Sequence, residues 1–229
     1  MLGYLVLHGG DAYNSQNKNL DHLVLQLIRR GRERVRLVVI PAAAIKNPEK
    51  EALDAVHYYK NLGTYPDYKM FIDQASANVQ AEVDVLDKVE VIVLTDGSPI
   101  DTVERLKGTK VEAALRRAIE ERKGEVIAAG ASAMAMGGVY WLDGEWEPGI
   151  GIAPHLAILT HHEHAQMRLD PERLLEKLPE GITLIGVDEL TALICNPDGS
   201  YSAAGQGEVV VYRSVEQQDV YQAGQNFTL

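Results

Sequence analysis

The sequence predicts an α/β fold. It is a doubly wound, mostly parallel sheet with helices on both faces and added antiparallel strands in the C-terminal third. Three observations predict it. Apolar runs and amphipathic segments alternate through the first two-thirds of the 229-residue chain. The apolar runs are continuous, as strands covered on both faces are. After Gly138 the texture changes to short runs separated by glycine turns.

"LGYLVLH" reads as a buried first strand and "GGDAYN" as the turn after it. "KNLDHLVLQLIRRG" has helical spacing, with Leu20, Leu23, Leu27 and Ile28 on one face and Gly31 as the stop. "RVRLVVIPAAA" is a second strand. "NPEKEALDAVHYYKNLG" is a helix capped by Asn47, with Pro48 at its first position and Gly63 at its end. "DYKMFID" reads as a third strand and "ANVQAEVDVLDKV" as a helix. "EVIVLTDGSP" is a strand ending in a glycine turn, "VEAALRRAIEERKG" a helix, and "EVIAAG" the next strand. "YWLDGEWEPG" is a hairpin turning at Asp143-Gly144. "HLAILTHHEHAQMRL" is a strand running into a histidine-rich loop. "GITLIGVDELTALICNPDGSYSAAGQGEVVVYR" gives short strands that extend the same sheet. Residues 214–229 show no pattern and read as a surface tail. No linker or repeat interrupts the chain, so residues 1–229 are expected to be a single domain.

Composition bounds the function. Apolar residues make up 46% and charged residues 24%, a globular balance with an aliphatic core. The net charge of −11 repels nucleic-acid phosphates, and no basic block offsets it. The single Cys195 lies in a strand-like run and excludes an internal disulfide. There is no basic leader, and no apolar run approaches the roughly 20 residues of a membrane span. These features read as a cytoplasmic protein with no nucleic-acid or membrane partner.

In doubly wound sheets, sites lie at the carboxyl ends of strands. "HGGD", "TDGSP" and "GASAM" are turns at such ends. Ser132 follows a buried strand among small residues, as a nucleophile elbow requires. The usual Gly-x-Ser-x-Gly is here Gly130-Ala131-Ser132-Ala133-Met134. A tightly packed strand–helix crossing explains that stretch equally well. A serine needs a base and an orienting acid. "LTHHEH" offers His161, His162 and His164; a polar loop or a metal site are the rival readings, and the spacing is not His-Glu-x-x-His. "GVDELTAL" offers Asp188 and Glu189, which by composition alone are ordinary turn residues.

Taken in order, these texts resemble the dipeptidase E and cyanophycinase family of serine peptidases, whose fold is related to class I glutamine amidotransferases. The resemblance runs from the first strand to "EVVVYR". "VIVLTDGSPIDTVERLKGT" is similar to the family's Gly-Gly-Asn-type turn, helix and Leu-x-Gly-Thr. "AAGASAMAMGG" is similar to its Gly-x-Ser-Ala-Gly-Ala elbow, and "PHLAILTHHEHAQMRLDPERL" to its Asp-x-His-Phe-x-x-Arg-x-Arg-Leu region. "GVDELTAL" is similar to its Gly-Ile-Asp-Glu-x-Thr-Ala-Leu, the most specific match.

The resemblance implies a Ser132–His162–Glu189 triad acting on small peptides, with aspartyl dipeptides or cyanophycin-like peptides as precedents. It implies an oxyanion hole from the N–H groups of Gly97 and Ala133, no metal or organic cofactor, and a homodimer. Asp96, Ser98, His161, His164 and Arg168 fall where substrate is bound. The chain departs from the pattern in five places. Met134 stands at an elbow glycine, Asp96 at a glycine beside the oxyanion hole, Ser98 at Asn and Thr160 at Asp. One arginine is missing near Gln166 and Met167. Asp96 repels a developing oxyanion or binds a substrate amino group. These departures leave open a divergent or non-catalytic protein that binds a small ligand or partner at the same site.

Overall fold

The structure is a computed structural model that describes residues 1–29, 35–165 and 169–229. In chain order it begins β1 (Tyr4–His8), α1 (Lys18–Arg29), β2 (Arg36–Ile40), α2 (Pro48–Asn61), β3 (Tyr65–Tyr68), α3 (Gln80–Val83) and β4 (Val91–Leu94). There follow α4 (Pro99–Leu106), α5 (Lys110–Glu120), β5 (Glu125–Ala129), α6 (Ala131–Met136), β6 (Gly137–Leu142), β7 (Glu145–Pro148) and β8 (Ala153–Thr160). The last elements are α7 (His162–Ala165), α8 (Pro171–Glu176), β9 (Thr183–Val187), β10 (Thr191–Cys195), β11 (Tyr201–Gly205), β12 (Val209–Tyr212), β13 (Gln218–Tyr221) and β14 (Asn226–Phe227).

The strands form two sheets. The first has the order β14-β11-β10-β1-β5-β4-β2-β3, and the second β13-β12-β9-β8-β6-β7. In the first, β1, β5, β4, β2 and β3 run parallel, while β10, β11 and β14 add antiparallel strands. In the second, β6, β8 and β9 are mutually parallel, and β7, β12 and β13 are antiparallel additions.

Continuous apolar runs suit the parallel strands because alternate side chains serve two faces. Leu5, Leu7, Ile92, Leu94, Val126 and Ala128 enter one core, which also holds Leu115 of α5 and Ile158 and Ile185 of the second sheet. Val6, Val91, Val93 and Ile127 enter the other, against Leu20 and Val24 of α1 and Ala52 and Tyr59 of α2. Val139, Ala157 and Leu184 on the outer face of the second sheet pack on Leu174 of α8.

Several elements follow the sequence closely. The Asn47 side chain accepts from the Lys50 N–H and caps α2, with Pro48 at its start. Asp143 (φ 48°) and Gly144 (φ 92°) supply the two left-handed residues of a tight hairpin between β6 and β7. Cys195 is buried, and burial pushes its thiol up to about 12, so it is inert.

Other expectations are corrected. The C-terminal strands do not all extend one sheet: β9, β12 and β13 belong to the second. The buried face of α1 is Leu20, Val24, Leu25 and Ile28, and Leu23 is exposed. The expected stop at Gly31 lies outside the described residues. The third strand is Tyr65–Tyr68, earlier than "DYKMFID". The helix expected over 77–89 is one turn at Gln80–Val83 flanked by short 3-10 turns. Its β-branched valines, Val79, Val83, Val85 and Val89, disfavour a longer helix. The expected tail contains β13 and β14, stacked through Tyr221 and Phe227. Among the described residues, no helix is long and apolar enough to cross a membrane.

Candidate functional site at the strand ends

Five strands end at one place, and each presents its chemistry on the turn that follows. Gly9 and Gly10 follow β1, Asp96 and Gly97 follow β4, and Gly130 follows β5. His161 follows β8, and Asp188 and Glu189 follow β9.

The turn after β5 is a sharp strand-to-helix elbow, and the residue on it is Gly130. Its φ of 49° and ψ of −116° lie where L residues are strained. An elbow of this kind normally carries the nucleophile. Here there is no side chain. A Cβ at Gly130 would lie 2.1 Å from the Asp96 carboxylate. The Asp96 carboxylate thus occupies the space over the elbow that a side chain would need.

Asp96 Oδ1 accepts the N–H of Ala131 at 2.7 Å and of Gly97 at 2.7 Å. Its Oδ2 lies 3.8 Å from His161 Nε2. His161 Nδ1 meets Glu189 Oε1 at 2.7 Å. The result is a line of carboxylate, imidazole and carboxylate. Burial works to raise the Asp96 pKa, but the facing His161 and the two amides outweigh it and hold it below the usual value. Asp96 first, and Glu189 after it, push the His161 pKa up to about 9, although burial works the other way.

His161 is placed by backbone geometry. It has φ 49°, and its N–H donates to Gly9 O at 2.6 Å. A Cβ at Gly10 would come within 2.3 Å of its ring, so only glycine leaves room for it.

The residues of the expected triad are not joined to one another. Ser132 is fully buried inside α6, two positions past the elbow. Its hydroxyl donates to Thr95 O at 2.6 Å and lies 3.5 Å from Thr102 Oγ1. His162 starts α7 and turns inward. Its Nε2 meets Tyr212 Oη at 2.8 Å and its Nδ1 meets Asp188 Oδ1 at 3.2 Å. Burial holds its pKa below the ordinary value. Glu189 pairs with His161, its neighbour. The two consecutive histidines therefore take the two consecutive acids, His161 with Glu189 and His162 with Asp188.

Asp96 Oδ1 draws the amides of Gly97 and Ala131 together. Ser98 caps α4 by accepting the Asp101 N–H at 3.2 Å. Met134 is half-buried within α6, and its N–H donates to Gly130 O at 3.2 Å. His164 is exposed, with Nε2 3.8 Å from Glu189 Oε1. Arg168 lies outside the described residues.

Glu163, His164 and Glu189 each bring one ligand atom within 4.8 Å of the others. Both Glu163 oxygens accept the Glu189 N–H at 3.1 Å, and Glu189 holds His161. That group is explained by its own contacts.

The sequence did carry a sign of the elbow. The apolar run ends at Ala129, so the turn residue is the next one, Gly130, and the pattern Gly-x-Ser placed the hydroxyl two residues too late. Nothing in "THHEH" distinguishes His161 from His162. That choice depends on the turn conformation after β8.

No protein-family model matches the chain, and no curated protein matches it. Solved structures do. The crystal structure of a peptidase from an acI-B1 Actinobacterium superposes with a TM-score of 0.85 at 17% identity, covering 99% of this chain and 97% of that one. A putative peptidase E protein from Listeria monocytogenes EGD-e matches with a TM-score of 0.61 at 13% identity, covering 93% of this chain and 98% of that one. The chain has the fold of these two proteins, a mixed α/β architecture with parallel strands at the centre of both of its sheets.

Proposed function

We propose that the protein is a hydrolase whose centre is the Asp96–His161–Glu189 line at the Gly130 elbow. One observation carries the reading. A carboxylate stands where the elbow's side chain would stand, facing an imidazole that a second carboxylate orients. That is the order of parts in a nucleophile–base–acid triad, with Asp96 in the first place. Both structural neighbours are named peptidases, which makes peptides one substrate class to test.

A serine peptidase working through Ser132, His162 and Glu189 has less support. The Ser132 hydroxyl is committed to the Thr95 carbonyl, and Glu189 to the other histidine. An acyl-transfer oxyanion would also compete with Asp96 for the amides of Gly97 and Ala131. A second reading rests on that same engagement: a site that binds a cationic or zwitterionic ligand without turning it over.

A panel of small esters, amides and peptides tests the proposal, with a fluorophosphonate probe beside it. Hydrolysis that survives Ser132→Ala and falls at least 100-fold in His161→Gln and Glu189→Gln supports it. Fluorophosphonate labelling that vanishes in Ser132→Ala would instead restore the serine. Ligand binding lost in Asp96→Asn, with no hydrolysis in any variant, would favour the binding reading.

A further inference from the structure

The two oxygens of Asp96 are held differently. Oδ1 is fixed by two backbone N–H groups at 2.7 Å each, while Oδ2 points to His161 at 3.8 Å. The carboxylate is reachable, with its side chain 30% exposed. Together with Gly97 it lines a cavity of about 460 Å³ whose other walls are Ala44, Ile45, Lys46 and Glu51. We infer that Asp96 Oδ2 is a nucleophile toward a primary alkyl carbon bearing a leaving anion, such as an alkyl halide. The inference rests on the hydrolase reading above and names the substrate class of that site.

The chemistry closes. Oδ2 attacks the carbon, the carbon–halogen bond breaks, and the halide leaves with the bonding pair. An alkyl ester of Asp96 results. Its carbonyl oxygen is Oδ1, already seated on the amides of Gly97 and Ala131. The arrangement that obstructs a serine peptidase therefore prepares this ester for hydrolysis. Water then attacks Asp96 Cγ while His161 Nε2 takes its proton and Glu189 steadies Nδ1. The negative charge gathers on Oδ1 between the two amides. Collapse expels Oδ2 with the alkyl group, His161 returns a proton to it, and the carboxylate re-forms with an oxygen from water. The sum is alkyl halide plus water giving alcohol, halide and a proton.

Three features fit this use. Esterification removes the Asp96 charge, the main cause of the raised His161 pKa, so the imidazole becomes a base only after the first step. Ala44 and Ile45 give the cavity an apolar wall, and Lys46 brings a cation for the departing halide. Asp96 and Glu51 on the same wall disfavour an anionic substrate.

1-Bromobutane is the probe, and peptide mass spectrometry is the readout. Wild-type protein turned over in water enriched in heavy oxygen is expected to incorporate that isotope into the Asp96 carboxylate. His161→Gln is expected to accumulate one butyl group on Asp96, rising from a trace to most of the protein, and Asp96→Asn to take none. The wild-type experiment does not depend on any variant folding. No isotope in wild-type Asp96 and no adduct in His161→Gln overturns the inference. If hydrolysis of the ester and amide panel still depends on His161 in that case, the substrate class fails and the hydrolase reading stands. If it does not, both fail.

Discussion

A Cβ at Gly130 would lie 2.1 Å from Asp96, on a backbone at φ 49°. Any side chain there must displace the carboxylate and also bear the strain of a sparsely populated backbone conformation. Gly130→Ala is therefore expected to cost roughly 1–3 kcal/mol from backbone strain alone. It should also lower the His161 pKa as Asp96 moves away; thermal melting and histidine NMR check the two effects separately. Ser132 carries a different expectation. Its buried hydroxyl serves the Thr95 carbonyl, so Ser132→Ala should lower stability by about 1–3 kcal/mol and leave hydrolysis within a factor of two or so. A loss of activity without a loss of stability would contradict the placement of Ser132. These residues also show where sequence reading stops. Asp96 stood out because it replaced a glycine beside the expected oxyanion hole. Its carboxylate's position over the elbow depends on two turn conformations that the sequence does not spell out.

The element that sets the base is the turn after β8, which lies against the turn after β1. His161 needs Gly10 to be bare, since a Cβ there would meet its ring at 2.3 Å. Gly10→Ala should break the His161–Glu189 contact and reduce hydrolysis at least tenfold, while β1, buried and paired on both sides, keeps its place. Kinetics alongside a circular-dichroism melt tests this; full activity would show that His161 does not depend on that contact. At this scale the sequence was read well where the signal is local. The Asn47 cap, the Asp143-Gly144 hairpin and the parallel strands β1, β4 and β5 all carry their own cues. It was read less well over 77–89, where apolar residues at helical spacing form only one turn of α-helix.

At the scale of the molecule, the alternation of strand and helix revealed the first sheet, and the second was hidden. Nothing in β9, β10 or β12 says which sheet each joins, because every one is a short apolar run paired far along the chain. The core between the first sheet and helices α1 and α2 also buries charge. Glu125 is fully buried at the start of β5, neither oxygen has a hydrogen-bond partner, and burial pushes its pKa well up. A raised carboxyl pKa gives stability that is whole below the ordinary value of 4.5 and is lost as pH rises toward the folded value. Glu125→Gln should therefore raise the melting temperature relative to wild type at pH 7, with the difference shrinking toward pH 4. A constant difference across that range would contradict the burial. The functional claim depends on the same joining of sheets, since β4 brings Asp96 and β8 and β9 bring His161 and Glu189. The charged His161 then contributes stability that is whole below its ordinary pKa of 6.5 and is lost as pH rises through about 9. NMR titration of His161, assigned by its loss in His161→Gln, measures this most directly. A midpoint near 9 that falls in Asp96→Asn is the predicted result, and a midpoint near 6.5 that Asp96→Asn does not move would contradict the account.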